Sequence, residues 1–211
     1  LNTMSTTYKQ KEPKVDDISV LEPEATYSYA DYLRWSFEER VELIKGKLFR
    51  MSPAPRRSHQ GISMVIGNEI YNVLKGQNCK SYMAPFDVRF PNKPADPDEQ
   101  TFTVVQPDIC VVCDHSKLDD AGCKGAPDLI VEILSPSTAS KDLNEKYQLY
   151  EEHGVKEYWV VYPGEAVLEI YELQGAQYVS KGKFVKEDEV TSNVHILLQY
   201  YISPRERICP K

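Results

Sequence analysis

Two rhythms of apolar residues divide the chain: one long run at helical spacing and several short runs that alternate or are continuously apolar. The helical run is HQGISMVIGNEIYNVLK, in which Ile62, Val65, Ile66, Ile70, Val73 and Leu74 share one face. Ser58 stands where an N-cap belongs and Gly76 ends the helix. A shorter helix is predicted over Tyr29–Glu39, capped by Thr26 or Ser28, with Tyr32, Leu33 and Phe37 inward. A third runs over 139–152, between the polar turn Ser135-Pro136-Ser137-Thr138 and Gly154. VELI and KLFRM flank Lys45-Gly46 and predict a hairpin. Strands are predicted at 79–84, 86–90, 103–113 and 128–134. EYWVVY is nearly all apolar, as suits a strand buried on both faces, and AVLEIYEL returns beside it beyond Pro163-Gly164. YVSKGKFVKEDEV and VHILLQYYI read as further strand or irregular structure closing the domain.

These elements predict an α/β (α+β) fold with a central mixed sheet flanked by helices and an added N-terminal hairpin. One domain is expected over 26–203, with a polar tail at 1–25, disordered or draped over the body, and a short tail at 204–211. Composition agrees: at 211 residues, 41% hydrophobic and 27% charged, the chain can bury a real core. It has no apolar stretch of membrane-spanning length and no basic-then-apolar leader, so the cytoplasm is the expected compartment. Five cysteines, an odd number, predict reduced thiols. Cys110 and Cys113, with His115 and Cys123 beyond, have zinc-like spacing. On a strand, though, residues three apart face opposite sides, so small apolar packing is the better account.

Charge narrows the functional classes. A net charge of −7 argues against broad electrostatic capture of nucleic acid. Any such partner needs local positive charge or a metal ion, and Arg56, Arg57 and Lys80 are the basic residues best placed to meet a DNA backbone. Against that background two carboxylates stand out. Asp108 follows Pro107 at the head of one strand, and Glu132 interrupts the apolar run DLIVEIL. A buried carboxylate costs several kcal/mol, on the order of the penalty for an unpaired charge, unless a cation offsets it. Two of them on neighbouring strands suit Mg²⁺ or Mn²⁺, which take carboxylate oxygens and retain waters. Lys146 follows Asp142 by one turn on a helix folded back over the Glu132 strand, where an amine could orient water or stabilise a phosphoryl transition state. Tyr150, Tyr158 and Trp159 could stack on bases, although the apolar run 157–162 favours Trp159 as core.

The motifs EL-I-x-G-x-L-x-R-M-S-P, His59, Q-P-D-I, L-I-V-E-I-L-S-P-S-T, D-x-x-x-K-x-x-x-Y and G-V-x-E-Y-W-V-V occur in this order over about residues 26–175. Together they resemble the PD-(D/E)XK nuclease superfamily and, more narrowly, its Uma-two-like restriction endonuclease branch. The resemblance implies a restriction-endonuclease-like core and a Mg²⁺-dependent endodeoxyribonuclease, with Asp108 and Glu132 as metal ligands and Lys146 assisting the water. Glu42 and His59 are implied to line the site, and Asp87 is a weaker candidate. Where many superfamily members carry the ExK lysine this chain has Leu134, and the branch it resembles moves that lysine to the following helix, at Lys146. Double-strand cleavage of DNA would require two sites and hence a homodimer. The competing expectation is a nuclease fold that binds DNA or regulates without cutting.

Overall fold

The computed structural model describes residues 13–51, 54–192 and 196–199. The helices are α1 (Tyr29–Tyr32), α2 (Arg57–Leu74), α3 (Ala139–Lys141) and α4 (Tyr147–Glu152), with a π-helical turn at Asp142–Lys146 joining the last two. The strands are β1 (Val41–Ile44), β2 (Lys47–Arg50), β3 (Lys80–Met83), β4 (Val88–Arg89), β5 (Val104–Val105), β6 (Ile109–Val112) and β7 (Leu118–Asp119). They continue with β8 (Gly122–Lys124), β9 (Leu129–Ile133), β10 (Glu157–Tyr162), β11 (Val167–Gln174), β12 (Gln177–Phe184), β13 (Glu189–Thr191) and β14 (Leu197–Gln199).

The expected central mixed sheet has the order β12-β11-β10-β9-β6-β3, with β9 and β10 parallel and the other pairs antiparallel. The expected hairpin, β1 with β2, is the edge of a second six-stranded sheet, β2-β1-β5-β4-β8-β7. The 114–127 connection supplies two of that sheet's strands. On one face of the central sheet, Ile66, Ile70 and Leu74 of α2 pack on Ile109, Val111, Val131, Ile133 and Trp159. On the other, Cys110, Ile130, Tyr158 and Val160 meet Leu149 and Tyr150 of α4 and Ile44, Val88 and Val105 of the second sheet.

Several elements differ from the sequence expectation, each for a local reason. The single strand at 103–113 is two strands in two different sheets, because Pro107 has no N–H to continue a ladder. The Tyr29–Glu39 helix is only four residues long. Ser28, one of the two caps anticipated, starts it and forms a capping box with Asp31, but Ser36 N–H donates to Val15 O and Val15 N–H to Arg34 O, which draws the chain out of the helix. Leu33 is therefore 54% exposed. α2 starts before Ser58, with Arg56 at the N-cap and no side-chain capping bond, and Val65 faces outward. In the expected tail, Val15 bridges Trp35 and Ile18 is buried, so 13–25 is draped over the body; residues 1–12 and the 204–211 tail lie outside the described residues.

Reduced thiols throughout are also corrected: Cys79 and Cys113 are joined in a disulfide. They flank the β3–β6 ladder, where Lys80 pairs with Val112, so the residues one step further out lie directly opposite. Cys110 and Cys123 are buried in the apolar core. Among the described residues no helix is long and apolar enough to cross a membrane.

Core packing makes a simple prediction. Ile70→Ala removes a fully buried side chain and should lower stability by about 2–5 kcal/mol. Met64→Ala, on the same helix but 65% exposed, should change it by no more than about 0.5 kcal/mol. Urea denaturation compares the two.

Candidate active site

The seam between the two sheets is where charge collects. Lys146 Nζ, on the π-helical turn, lies 2.8 Å from Glu132 Oε1, 2.9 Å from Glu42 Oε1 and 3.6 Å from Asp142 Oδ1. Glu132 comes from β9 in the central sheet and Glu42 from β1 in the second. All four side chains are buried. The apolar pattern places them: every residue of β1 and of β9 is buried, so an acid in either strand has nowhere to go but inside. Tyr150, one helical turn beyond Lys146, donates its hydroxyl to the same Glu132 Oε1 at 2.7 Å. Glu42 accepts from Lys141 Nζ on Oε2 and from the Gln106 backbone N–H on Oε1 at 3.0 Å.

The π turn shapes this arrangement. Tyr158 on β10 donates to the Asp142 carbonyl at 3.0 Å, and the Thr138 side chain bonds the Asp142 carboxylate. A wide turn of this kind is common at functional sites. Here the consecutive residues Lys141 and Asp142 both contribute to one charge cluster, Lys141 through Glu42 and Asp142 through Lys146.

Asp108 sits at the head of β6, one step beyond the Ile109–Val131 pair. Its Oδ2 accepts the Ile133 backbone N–H at 2.8 Å, in effect extending the ladder that Pro107 interrupts. His59 Nε2 of α2 lies 3.2 Å from the same oxygen. Among the described hydrogen bonds and ion pairs, Asp108 therefore meets its partners through Oδ2 and Glu132 through Oε1, which leaves a second hard oxygen on each. That donor set fits a divalent cation of the Mg²⁺ type. No group of three or more His, Cys, Asp or Glu side chains is placed to hold a metal among the described residues, so any ion here relies on two acids and water.

Proton affinities split the two glutamates that share Lys146. Burial pushes Glu42 up, but Lys146, Lys141 and the Gln106 N–H outweigh it and hold its pKa at about 2. Glu132 is pushed up to about 8 by burial, which the single ammonium of Lys146 only partly opposes while Asp142, Asp108 and Glu42 add to it. Glu42 has two lysines and keeps its charge; Glu132 shares one and is the acid that takes up a proton. Asp142 is raised by burial, against Lys146 and Thr138. Burial disfavours the Lys146 ammonium, yet Glu132, Glu42 and Asp142 together hold its pKa well above the ordinary value. Burial likewise pulls the His59 ring down, and its hydrogen bond to Asp108 with the charge behind it raises it overall.

Of the residues anticipated from sequence, Glu42, Glu132 and Lys146 make one contact network, and Asp108 with His59 a second beside it. Asp87 lies elsewhere, bonded to Gln106 Nε2 and Tyr32 OH. Tyr158 and Trp159 are wholly buried, and Tyr150 acts through its hydroxyl rather than its ring face. Arg56, Arg57 and Lys80 are exposed. Lys141 and Gln106 were not anticipated. The spacing of Asp142, Lys146 and Tyr150 at i, i+4 and i+8 marks one helix face in the sequence, whereas nothing there announces the π turn that recruits Lys141.

Residues 29–200 match the family model Uma2, described as "Putative restriction endonuclease". The chain belongs to the Uma2 family. A curated relative, "Uncharacterized protein slr1290" of Synechocystis sp., is 29% identical over 122 residues, covering 57% of this chain. The chain spans 60% of the length of that relative. Among solved structures, a "putative nuclease belonging to DUF820" from Anabaena variabilis superposes with a TM-score of 0.63 at 19% identity. That match covers 82% of this chain and 95% of the other, so the Uma2 chain has the restriction-endonuclease-like fold expected of it.

Two predictions follow from the charge network. Glu132 and Asp142 have folded pKa values above their ordinary ones, so the stability they confer is complete below about pH 4 and fades as pH rises towards 8. His59, also raised, fades in the same direction, while Glu42 contributes in full throughout that window. In EDTA the urea midpoint should fall between pH 5 and pH 8, and Glu132→Gln should flatten the decline. Lys146→Ala strands three buried acids and should cost about 3–5 kcal/mol at pH 7, read from the same denaturation curves.

Proposed function

We propose that this protein is a metal-dependent DNA endonuclease that hydrolyses phosphodiester bonds. The observation that carries the reading is the meeting of Glu132, Lys146 and Glu42 at the sheet seam, with Asp108 one step beyond the Ile109–Val131 pair. Asp108 and Glu132 would hold Mg²⁺ or Mn²⁺ through the oxygens their protein partners leave unused. Bound there, such an ion supplies a more acidic water and neutralises charge developing on the phosphate.

The chain's own residues do the rest. His59 and the Ile133 N–H fix the Asp108 carboxylate, and Tyr150 fixes that of Glu132. Lys146 provides a permanent positive charge beside Glu132, positioned to orient water or to steady the transition state. Glu42 and Asp142 hold that amine in place, and Lys141 keeps Glu42 ionised. The cluster itself stays one positive charge short, so in a chain of net charge −7 the metal ion would supply the positive charge that an approaching phosphate needs. A homodimer would bring two such sites to a duplex, and a DNA substrate puts the work in the cytoplasm; recovery of the protein from outside that compartment would contradict the placement.

One observation favours a second reading, a nuclease fold that binds DNA or regulates without cutting. Leu134 replaces the ExK lysine, and the Lys146 amine is already held by three acids. Supercoiled plasmid incubated with Mg²⁺ or Mn²⁺ decides between the two. The wild type should yield nicked and then linear DNA, and EDTA should stop it. Asp108→Ala and Glu132→Ala should each slow the reaction by about a hundredfold or more. Direct linear product supports paired sites. Binding without any conversion would overturn the endonuclease reading.

A further inference from the structure

Beside the charge network lies an open cavity of ≈ 550 Å³ that the proposed reaction does not use. Tyr82 and Phe86 form one wall, their rings stacked with centroids 4.3 Å apart and planes 8° from parallel. Asp87 and Gln106 form the adjoining wall, with Asp119 and Asp120 at the rim. The cavity is coupled to the candidate active site through one residue. The Gln106 backbone N–H holds Glu42 Oε1, while its side chain donates to Asp87 Oδ1 at 2.8 Å. Asp108 follows Gln106 by two residues, roughly 7 Å of extended chain at most.

The chemistry of the lining selects its ligand. Carboxylates at three positions repel a phosphate, and Arg89, the nearest strong cation, is tied to Asp119 at 2.5 Å. A flat aromatic wall favours a flat ring laid against it. Tyr32 and Gln106 both donate to Asp87 Oδ1. A carboxylate offers about four acceptor sites, so these two donors leave acceptor capacity for a ligand. That acceptor demands an N–H from its partner. Gly122 closes the back of the wall against Asp87: an added Cβ there would come within 2.2 Å of the Asp87 carbonyl oxygen.

We propose that this cavity receives a single unstacked nucleobase carrying an exocyclic amino group, flanking the phosphodiester at the active site. The base stacks on the Tyr82–Phe86 wall and gives its amino hydrogens to Asp87, while its sugar-phosphate stays outside the acidic rim. The assignment deepens the nuclease reading and rests on it for the nature of the polymer.

Saturation-transfer NMR on the 211-residue chain in EDTA tests it without requiring cleavage, with deoxyadenosine, deoxycytidine, thymidine and deoxyribose 5-phosphate as probes. Base protons of deoxyadenosine and deoxycytidine should receive saturation, thymidine less, and the sugar phosphate none. Phe86→Ala should weaken deoxyadenosine binding roughly five- to hundredfold. Asp87→Asn, which keeps the shape, should reduce the preference for amino-bearing bases over thymidine; circular dichroism verifies that both variants fold. Transfer to the sugar phosphate equal to that of the nucleosides would overturn the proposal, as would binding unchanged in Phe86→Ala. Displacement of nucleoside by Mg²⁺ alone would instead make the carboxylates a cation site and overturn it too. Plasmid cleavage with no base dependence sinks the cavity assignment but spares the nuclease reading. Base binding lost in Phe86→Ala, from a protein that cuts nothing, does the reverse.

Discussion

One buried ammonium organises the centre of this protein. Lys146 draws together acids from three parts of the chain that would otherwise repel one another in a dry environment. Breaking such a contact leaves uncompensated charge, which is far more costly than the contact itself is favourable. The two sheets are therefore locked in register by electrostatics at the same place where their apolar faces meet. Three acids against Lys146 and Lys141 leave the cluster one positive charge short. Burial raises the proton affinity of Glu132, and the neighbouring acids Asp142, Asp108 and Glu42 add to it against Lys146.

Backbone chemistry explains why the cluster lies at the seam. Pro107 cannot donate to a ladder, so the chain leaves the second sheet after β5 and enters the central sheet at β6, with Gln106 and Asp108 on either side of the crossing. Gln106 turns its N–H onto Glu42, and Asp108 turns its carboxylate onto the Ile133 N–H. Each thus uses a hydrogen-bonding group freed by the interruption of pairing. On the opposite side the π turn, held by Tyr158 and Thr138, presents Lys141, Asp142 and Lys146 to the same seam.

Much of this was legible from residues alone, and what was not has a common cause. Glu132 in DLIVEIL could be singled out because an acid in a continuously apolar strand violates the pattern, whereas Glu42 in the short hairpin strand VELI came only from the family resemblance. The long helix and the hairpin at Lys45-Gly46 followed from periodicity and turn chemistry. The division of 103–113 between two sheets did not, since both halves are equally apolar and only the single proline marks the break. The second sheet was hidden for a similar reason: β4, β5 and β7 are two residues each, too short for an alternation to register. The truncated first helix, the Cys79–Cys113 pairing and the contribution of Lys141 all depend on partners remote in sequence, which periodicity cannot reveal.

The distances along the chain have a bearing on how the molecule comes together. Lys141 and Glu42 are separated by 99 residues, and the parallel β9–β10 pair can form only after the intervening helix has crossed back. Closures of that span are slow relative to helix and hairpin formation. A nascent chain still lacking residues beyond 140 holds Glu42 and Glu132 with no lysine between them, and like charge keeps those segments apart. The acids become neighbours only when the last partner arrives, so closing the charge cluster and completing the fold are a single event.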